Sequence, residues 1–455
     1  MKEYDVIIVG SGAGLDILEA AVEHGLKTAL IDDGPAGGTC LNVGCIPSKM
    51  LIFPADRVMD VREAASLGID AEIKGIDFAA IMDRSRRLVE ADHREIEDQL
   101  RKSRALDFYQ DIAEFVDRNT FRVGNRMIKA NLIYLASGSR PLIPSIPGLD
   151  QVDYLTNESL LQLRELPKSL IIIGGGYVGV EYAHFFQAMG SDVTLLEMGP
   201  RLVPSEEPEI SDLLLSSLSR RFAVLTGSVA ESVEETDSGR VAVRVSTRHI
   251  DNRSEKITAA KLLIAAGRRS NADRLKVENA GIKTDSKGYI KVNAHLETNV
   301  KGIYAIGDAN GREMFTHTSH AEAAVAAANG IHGQKKTINY WAAPHAVFTH
   351  PQIASVGLTE HLARQKYKIS VGRTAYADIA LGVAMMQQEG FAKIILEQET
   401  RKILGGHVIG PWASVVIQEV VNVMARRGGV ADIGRGIHIH PALSELIIKA
   451  VYNAV

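Results

Sequence analysis

Hydrophobic and polar positions follow one plan twice along the chain. A short apolar run ends in glycines, an amphipathic stretch follows, another glycine closes it, and a second apolar run ends on an acid. The first copy spans Tyr4 to Asp32, with YDVIIVG, glycines at Gly10, Gly12 and Gly14, a stretch ending before Gly25, and KTALID. The second spans Ser169 to Glu197, with SLIIIGG, glycines at Gly174, Gly176 and Gly179, a stretch ending at Gly190, and DVTLLE. Each copy predicts strand, turn, helix and strand, and the unbroken apolar runs predict parallel strands buried on both faces.

This plan is the βαβ unit that binds dinucleotides. Glycines let the main chain approach a pyrophosphate, the helix N-terminus turns N–H donors toward it, and the terminal acid accepts from ribose hydroxyls. Asp32 stands 22 residues after Gly10, and Glu197 stands 23 after Gly174. Two complete copies predict two bound dinucleotides. Their turns differ, because Leu15 occupies the place of the third fingerprint glycine and Gly14 comes one place earlier. The first helix is therefore expected to sit differently on its sheet.

Later segments extend the plan. GSRP (Gly138 to Pro141) and AAGRR (Ala265 to Arg269) end apolar runs and read as domain crossings; Gly138, Gly267 and Thr39 are expected beside bound cofactor. NVKGIYAIGDANG, Asn299 to Gly311, predicts a strand ending at Gly307 and Asp308, before an alanine-rich helix around 321–328. From Trp341 onward, alternation in AVFTH, ASVGLTE and FAKIILEQ predicts an antiparallel sheet, followed by helices near 414–427 and 441–454. The expected fold class is α/β: a Rossmann-like domain from 1–148 with 270–340, a second from 149–269, and a C-terminal α+β dimerisation domain at 341–455.

Composition fits this picture. The 455 residues are 46% hydrophobic and 23% charged, as in a globular protein of several domains. A net charge of −4 with no run of like charge argues against a nucleic-acid partner. The paired arginines Arg86-Arg87, Arg220-Arg221 and Arg426-Arg427 are expected on solvated helix faces. No apolar run approaches the ~18 residues of a membrane span. The opening run VIIV is too short for a signal-peptide core, so a cytoplasmic location is expected.

Both cysteines fall in GGTCLNVGCIPSK, as Cys40 and Cys45. A structural disulfide suits a cytoplasmic protein poorly, and zinc would need further ligands that this segment lacks; His317 and His320, at i and i+3, have no third ligand beside them either. A redox-active pair is the favoured reading, and no metal is expected. In an ideal helix, residues five apart are separated by ~7.5 Å of rise, beyond the ~7 Å Cα limit for a disulfide. A break at Asn42, Val43 and Gly44 is expected, and a helix N-terminus beside the thiols is expected to lower a cysteine pKa.

GGTCLNVGCIPSK resembles the signature of the class I pyridine nucleotide-disulfide oxidoreductases, which are FAD enzymes, and the resemblance covers essentially the whole chain. It implies FAD on the first βαβ unit, with Asp32 and Asp308 binding it, and NAD(P)H on the second. It further implies that Cys40 is the interchange thiol meeting substrate, that Cys45 lies against the flavin, and that Lys49 pairs with Glu181 of GYVGVE. Tyr177 of the same run either covers the nicotinamide pocket, as a residue there does in relatives, or is a core tyrosine. HIHPALSELI resembles the family's HPxxxE motif, with His440 as base and Glu445 orienting its ring; His438 has no assigned role. In relatives this segment completes the neighbouring subunit's active site, which implies a homodimer.

Within the family, CLNVGCIPSK is similar to dihydrolipoyl dehydrogenase. GSGAG, MLIFPADRV, YADIALGVAM and IHPAL are similar to mycothione reductase, a reducer of small disulfides. The mercuric reductase pattern needs C-terminal cysteines that this chain lacks. Glu197 would accept ribose hydroxyls and repel a 2′-phosphate, and Arg201 lies four residues on, so NAD(H) is expected. The resulting expectation is an enzyme like dihydrolipoyl dehydrogenase, passing electrons between a small dithiol or lipoyl group, the Cys40–Cys45 pair, FAD and NAD(H). The alternatives are an NAD(P)H-dependent reductase of a low-molecular-weight disulfide and a non-catalytic flavoprotein subunit. Intact Cys40, Cys45, His440 and Glu445 oppose the last.

Overall fold

The structure, a computed structural model, describes residues 1–247 and 254–455, and these fall into two compact units. The first comprises Met1–Ser48, Asp83–Leu142 and Gly267–Ile338. Its centre is a five-stranded parallel sheet in the order Ile303–Ala305, Leu132–Leu135, Val6–Val9, Thr28–Asp32, Leu106–Gln110. Alternate residues serve opposite faces. Val6, Ile8 and Leu30 pack against Ile17, Leu18, Ala21, Ala323 and Ala326 of the helices Gly14–Glu23 and Thr316–Gly330. Ile7, Val9, Ala29 and Ile31 pack against Phe115, Phe121 and Leu275. Burial on both faces is the reason the strand reads as an unbroken apolar run.

The effect of Leu15 is visible in the turn. The first helix begins at Gly14, four residues after Gly10, whereas the second begins at Tyr177, three after Gly174. A Cβ on Gly14 would stand 3.0 Å from Ile8 Cγ2 and 3.3 Å from Ala136 Cβ, so Gly14 itself lets the helix approach the sheet. The two sequence crossings meet: Ser139–Pro141 pairs antiparallel with Arg268–Ser270.

The second unit comprises Lys49–Met82, Ile143–Ala266 and Asn339–Val455. It holds a four-stranded parallel sheet in the order Ala223–Leu225, Asp192–Leu196, Ser169–Ile173, Lys261–Ile264. It also holds a five-stranded antiparallel sheet in the order Pro344–Val347, Ile353–Gly357, Ile403–Ile409, Phe391–Glu397, Ile369–Ala375. The helices Gln418–Ala425 and Glu445–Asn453 cover the latter with Val420, Met424, Leu446, Ile447 and Val451. The last helix starts at Glu445 and not near 441, because the Glu445 carboxylate folds back to accept from Ala442 N at 3.1 Å.

Arg221 departs from the solvated face expected of it. It turns inward to His184, a fully buried residue of the helix Tyr177–Met189. Arg221 donates to His184 Nδ1 at 2.9 Å, so His184 Nε2–H is the donor to Asp56 Oδ1, also at 2.9 Å. Only the neutral ring in this one tautomer satisfies both partners. Burial lowers the His184 pKa to about 4 and that of Arg221 to about 10. The folded protein therefore resists a proton that the unfolded chain accepts near the ordinary histidine value, and this contribution is complete above pH ~6.5 and lost as pH falls toward 4. Over that window we expect unfolding free energy to fall by about 3 kcal/mol more in the parent than in His184→Gln, which keeps donor and acceptor without titrating. Urea unfolding at pH 7 and pH 4.5 checks this; equal slopes would remove His184 as the cause.

Candidate active site

The helix Gly38–Val43 stops at Gly44, whose φ of −127° and ψ of −116° are not helical, and the helix Cys45–Glu63 starts at the next residue. Gly44 folds against the preceding turn so closely that a Cβ on it would lie 2.8 Å from Thr39 O and 3.3 Å from Cys40 Cα. The break brings the Cys40 and Cys45 thiols into a hydrogen bond with each other. Both are free thiols. Thr316, at the start of the helix Thr316–Gly330, places its hydroxyl 3.4 Å from Cys45 Sγ and hydrogen-bonds Cys40 as well.

The expected lowering of a thiol pKa is not what Cys40 displays. Its hydrogen bond to Cys45, and then burial, push the Cys40 thiol up, and Thr316 offsets this only in part. Cys40 lies within a helix of six residues, whose dipole is small, while a neighbouring sulfur that accepts its thiol hydrogen and partial burial both favour the protonated form.

Lys49 lies one helical turn after Cys45. Its Nζ is 2.9 Å and 3.1 Å from the two Glu181 oxygens, and it stands 4.3 Å over the Phe348 ring. Glu181 is buried and also accepts from Phe348 N at 2.8 Å, so its carboxylate is satisfied by charge-assisted bonds. His440 Nδ1 lies 3.0 Å from Glu445 Oε1, and this bond holds the Glu445 carboxyl below its ordinary range. The His440 side chain is 71% exposed. The other histidines singled out are engaged elsewhere: His438 with Glu419 at 2.8 Å, His320 with Asp16 at 2.7 Å, and His317 stacked on Phe315.

The two glycine turns share one clasp. Asp32 Oδ2 accepts from Ser11 N at 2.7 Å and from the Ser11 hydroxyl, and Oδ1 accepts from Gly34 N at 3.0 Å. Glu197 Oε2 accepts from Gly175 N at 2.7 Å and Oε1 from Gly199 N at 2.5 Å. In each case the donors are the residue after the first glycine and the residue two beyond the acid. Burial raises the Asp32 pKa.

The three glycines divide the work. Gly10 (φ +103°) and Gly174 (φ +114°) need their left-handed turns, since a Cβ would lie 2.2 Å from Ala136 O and 2.3 Å from Ala265 O. Gly179 packs helix on turn, with a Cβ 1.8 Å from Gly174 O. Around the middle glycines there is room: a Cβ on Gly12 meets only Gly38 Cα at 3.8 Å, and one on Gly176 meets nothing within 4 Å. The main chain is thus open where a pyrophosphate approaches, and both turns fit a dinucleotide.

Asp308 accepts from the Ser139 hydroxyl and lies 3.4 Å from Arg268 Nε. Thr39 Oγ1 is 4.0 Å from the Cβ position of Gly138, and a Cβ added to Gly267 (φ +120°) would meet only Leu142, at 3.8 Å. Arg201, the candidate for a 2′-phosphate, is engaged with Asp212 at 3.2 Å. Sequence reading missed Ser11, Ser139, Arg268 and Thr316 as members of these sites. The first three stand inside motifs already noticed, GSGAG, GSRP and AAGRR, yet nothing in their spacing says which acid they meet; Thr316 carries no local signal at all.

Residues 4–325 match the family described as pyridine nucleotide-disulphide oxidoreductase, and residues 343–451 match its dimerisation domain. Dihydrolipoyl dehydrogenase of Chlamydia trachomatis is 34% identical, covering 100% of this chain and 97% of that protein. Mercuric reductase of Bacillus cereus is also 34% identical, over 91% of this chain and 66% of its own length. Among solved structures, the HOCl-induced flavoprotein disulfide reductase RclA of Escherichia coli superposes with a TM-score of 0.88 at 28% identity, covering 99% of each chain.

Proposed function

The chain belongs to the pyridine nucleotide-disulphide oxidoreductase family, and from that premise we propose that it oxidises a lipoyl-type dithiol through Cys40 and Cys45. It is an FAD- and NAD(H)-dependent flavoprotein disulfide oxidoreductase, with two dinucleotide-binding domains and a C-terminal dimerisation domain. The observation that carries the proposal is the helix break at Gly44, which sets two thiols in hydrogen-bond contact.

In the oxidised form, Cys40 and Cys45 are joined. A substrate thiolate attacks Cys40 Sγ, the Cys40–Cys45 bond breaks, and Cys45 leaves as the thiolate. The second substrate sulfur then displaces Cys40 and closes the product disulfide. His440 accepts the proton of the attacking thiol, and Glu445 fixes the tautomer with Nδ1–H toward itself and stabilises the cation. Bound FAD supplies the two-electron link between the dithiol and NAD+. For each dithiol oxidised, one hydride equivalent reaches NAD+ and one proton is released. Gly10, Gly12, Gly14, Asp32, Thr39, Gly138 and Asp308 would hold FAD. Gly174, Gly176, Gly179, Glu197 and Gly267 would hold NAD(H), and the Lys49–Glu181 pair would fix the helix that begins at Cys45.

Three finer points belong to the same reading. We place the domain divisions at 1–148 with 270–340, 149–269 and 341–455. The dimerisation domain supports a homodimer. We assign His440 to the thiols of a second copy, because His440 is exposed in one chain and its neighbours Ile437 (101% exposed) and Ile439 (76%) stand bare, as apolar residues awaiting cover do. No helix among the described residues is long and apolar enough to cross a membrane; the cytoplasm suits a protein that cycles two free thiols.

Gly176→Ala tests the second turn. Nothing in the protein opposes the added methyl, so thermal unfolding should shift by less than about 2 °C, while NAD+ affinity falls roughly ten-fold because the methyl occupies the phosphate approach. Unchanged affinity by calorimetric titration would move the dinucleotide away from Gly176.

A second reading, reduction of a small disulfide by a reduced pyridine nucleotide, is favoured by the likeness to a flavoprotein disulfide reductase. Side-by-side turnover separates the two. We expect NAD+-linked oxidation of dihydrolipoamide to exceed NADH- or NADPH-linked reduction of low-molecular-weight disulfides, and NADH to exceed NADPH. Strong preference for NADPH would overturn the role given to Glu197.

A further inference from the structure

In the first unit, the strand Ile303–Ala305 pairs with Leu132–Leu135 so that Ala305 opposes Leu135, and Leu135 in turn opposes Val9. Gly10 follows Val9, and the turn Gly307–Ala309 follows Ala305 after Ile306 alone. Asp308 therefore stands with the first glycine turn on the carboxyl edge of the sheet, where parallel α/β sheets bind their ligands. The Ser139 hydroxyl and Arg268 Nε engage Asp308 Oδ2. Oδ1 accepts from no group among the described residues and is the oxygen left for a ligand hydroxyl.

Behind this turn lies the alanine-rich helix Thr316–Gly330, and its fully buried Glu322 reaches back to the turn. Glu322 Oε2 accepts from Gly307 N at 2.5 Å and from Asn310 Nδ2 at 2.9 Å, so its donors flank Asp308. The helix lies close: a Cβ on Gly307 (φ +62°) would stand 2.7 Å from Ser319 Oγ, one helical turn before Glu322. Beyond Asp308 the chain has other holds. Asn310 Nδ2 donates to Ala305 O at 3.3 Å, and Ala309 O accepts from Ile290 N at 2.9 Å and from the Ser270 hydroxyl at 3.1 Å. Before Asp308, the Gly307 N–H is directed to Glu322.

We infer that Glu322 is a positioning residue for FAD: by anchoring Gly307 N and the Asn310 amide it fixes the turn that presents Asp308 Oδ1 to the cofactor. The inference rests on the reading that Asp308 holds FAD. Packing alone would be served by alanine at this position, as it is at Ala323, Ala326 and Ala327. A buried carboxyl is costly unless its oxygens are used, and two donors beside Asp308 use this one. Without it, the Gly307 N–H and the Asn310 amide lose a buried acceptor. The turn recovers partners by rotating toward solvent, and Asp308 leaves its place.

Release of FAD from the holoenzyme after dilution, followed by the rise in flavin fluorescence, tests this. Asp308→Ala removes one hydrogen bond to a charged group, so release should be roughly 30-fold faster. Glu322→Leu should speed release roughly ten-fold, and Asn310→Ala, which loses one of the two donors, roughly three-fold. Glu322→Gln keeps an oxygen that both donors can reach and should restore release to within about two-fold of the parent. Because Glu322 acts through Asp308, adding Glu322→Leu or Asn310→Ala to Asp308→Ala should change release by less than about two-fold. A full multiplication of the two effects overturns the inference, since Glu322 would then serve the fold at large; so does parental release by Glu322→Leu. Parental release by Asp308→Ala instead removes the reading of Asp308 on which the inference rests. Melting temperature identifies a variant that misfolds, and Asn310→Ala decides the matter by the same comparison if Glu322→Leu does so.

Discussion

Serine at Cys40 or at Cys45 is expected to lower NAD+-linked oxidation of dihydrolipoamide by about 10⁴-fold or more, because neither variant can form the disulfide that accepts the electron pair. Flavin content should be unchanged, and so should reduction of the flavin by NADH, since neither sulfur is part of the glycine turns. The two variants should differ in colour. Cys45→Ser loses the long-wavelength thiolate-to-flavin absorption on reduction, while Cys40→Ser retains it, if Cys45 is the sulfur against the flavin. Turnover within ten-fold of the parent in either variant would remove the dithiol from the mechanism. Retention of the band in Cys45→Ser would exchange the roles of the two cysteines.

His440→Gln should cost roughly 10² to 10⁴ in dihydrolipoamide turnover, the range for loss of a positioned general base. Its effect should be confined to the dithiol half: NADH reduction of the flavin should proceed at the parental rate. Glu445→Gln should cost less, about ten-fold, because Glu445 acts through the ring it orients and the amide still reaches Ala442 N. Mixing His440→Gln subunits with Cys40→Ser subunits adds a test of shared sites. If each site takes its base from the other chain, heterodimers recover one working site of two, whereas sites built from single chains recover none. Equal rates for His440→Gln and the parent would return His440 to the solvent-exposed histidines without chemistry.

Much of the fold was legible because its signals are local. Glycines at 10, 12 and 14 and at 174, 176 and 179, each between an apolar run and an acid, stand where the structure places two strand-turn-helix-strand units. The misread elements have particular causes. Arg221 looked like one of a solvated arginine pair, but it lies across His184 and Gln187, a contact no charge pattern foretells. The helix N-terminus invoked to lower a thiol pKa belongs to Cys45, which opens the helix Cys45–Glu63; Cys40 sits in a six-residue helix against that sulfur, where short-range hydrogen bonding outweighs the dipole. The start of the final helix was set four residues early, since the sequence does not disclose that the Glu445 carboxylate turns back toward His440.

Spacing within a few residues determined the paired glycine turns and the two-thiol segment with its enforced helix break at Gly44, while the His440–Glu445 pair was read from resemblance to the family's HPxxxE motif. Each depends on covalent distance along the chain, which the order of residues specifies directly. Contacts between distant positions were decided only by the folded chain. Ser139 reaches Asp308 across 169 residues, Thr316 reaches Cys45 across 271, and Glu206 meets His345 and Ser355 across 139 and 149. Lys49 and Glu181, 132 apart, entered the sequence reading only through family resemblance. The physical reason is register: whether His345 and Ser355 face Glu206 together depends on strand pairing, and a slip of one residue would turn them to the opposite face of the sheet.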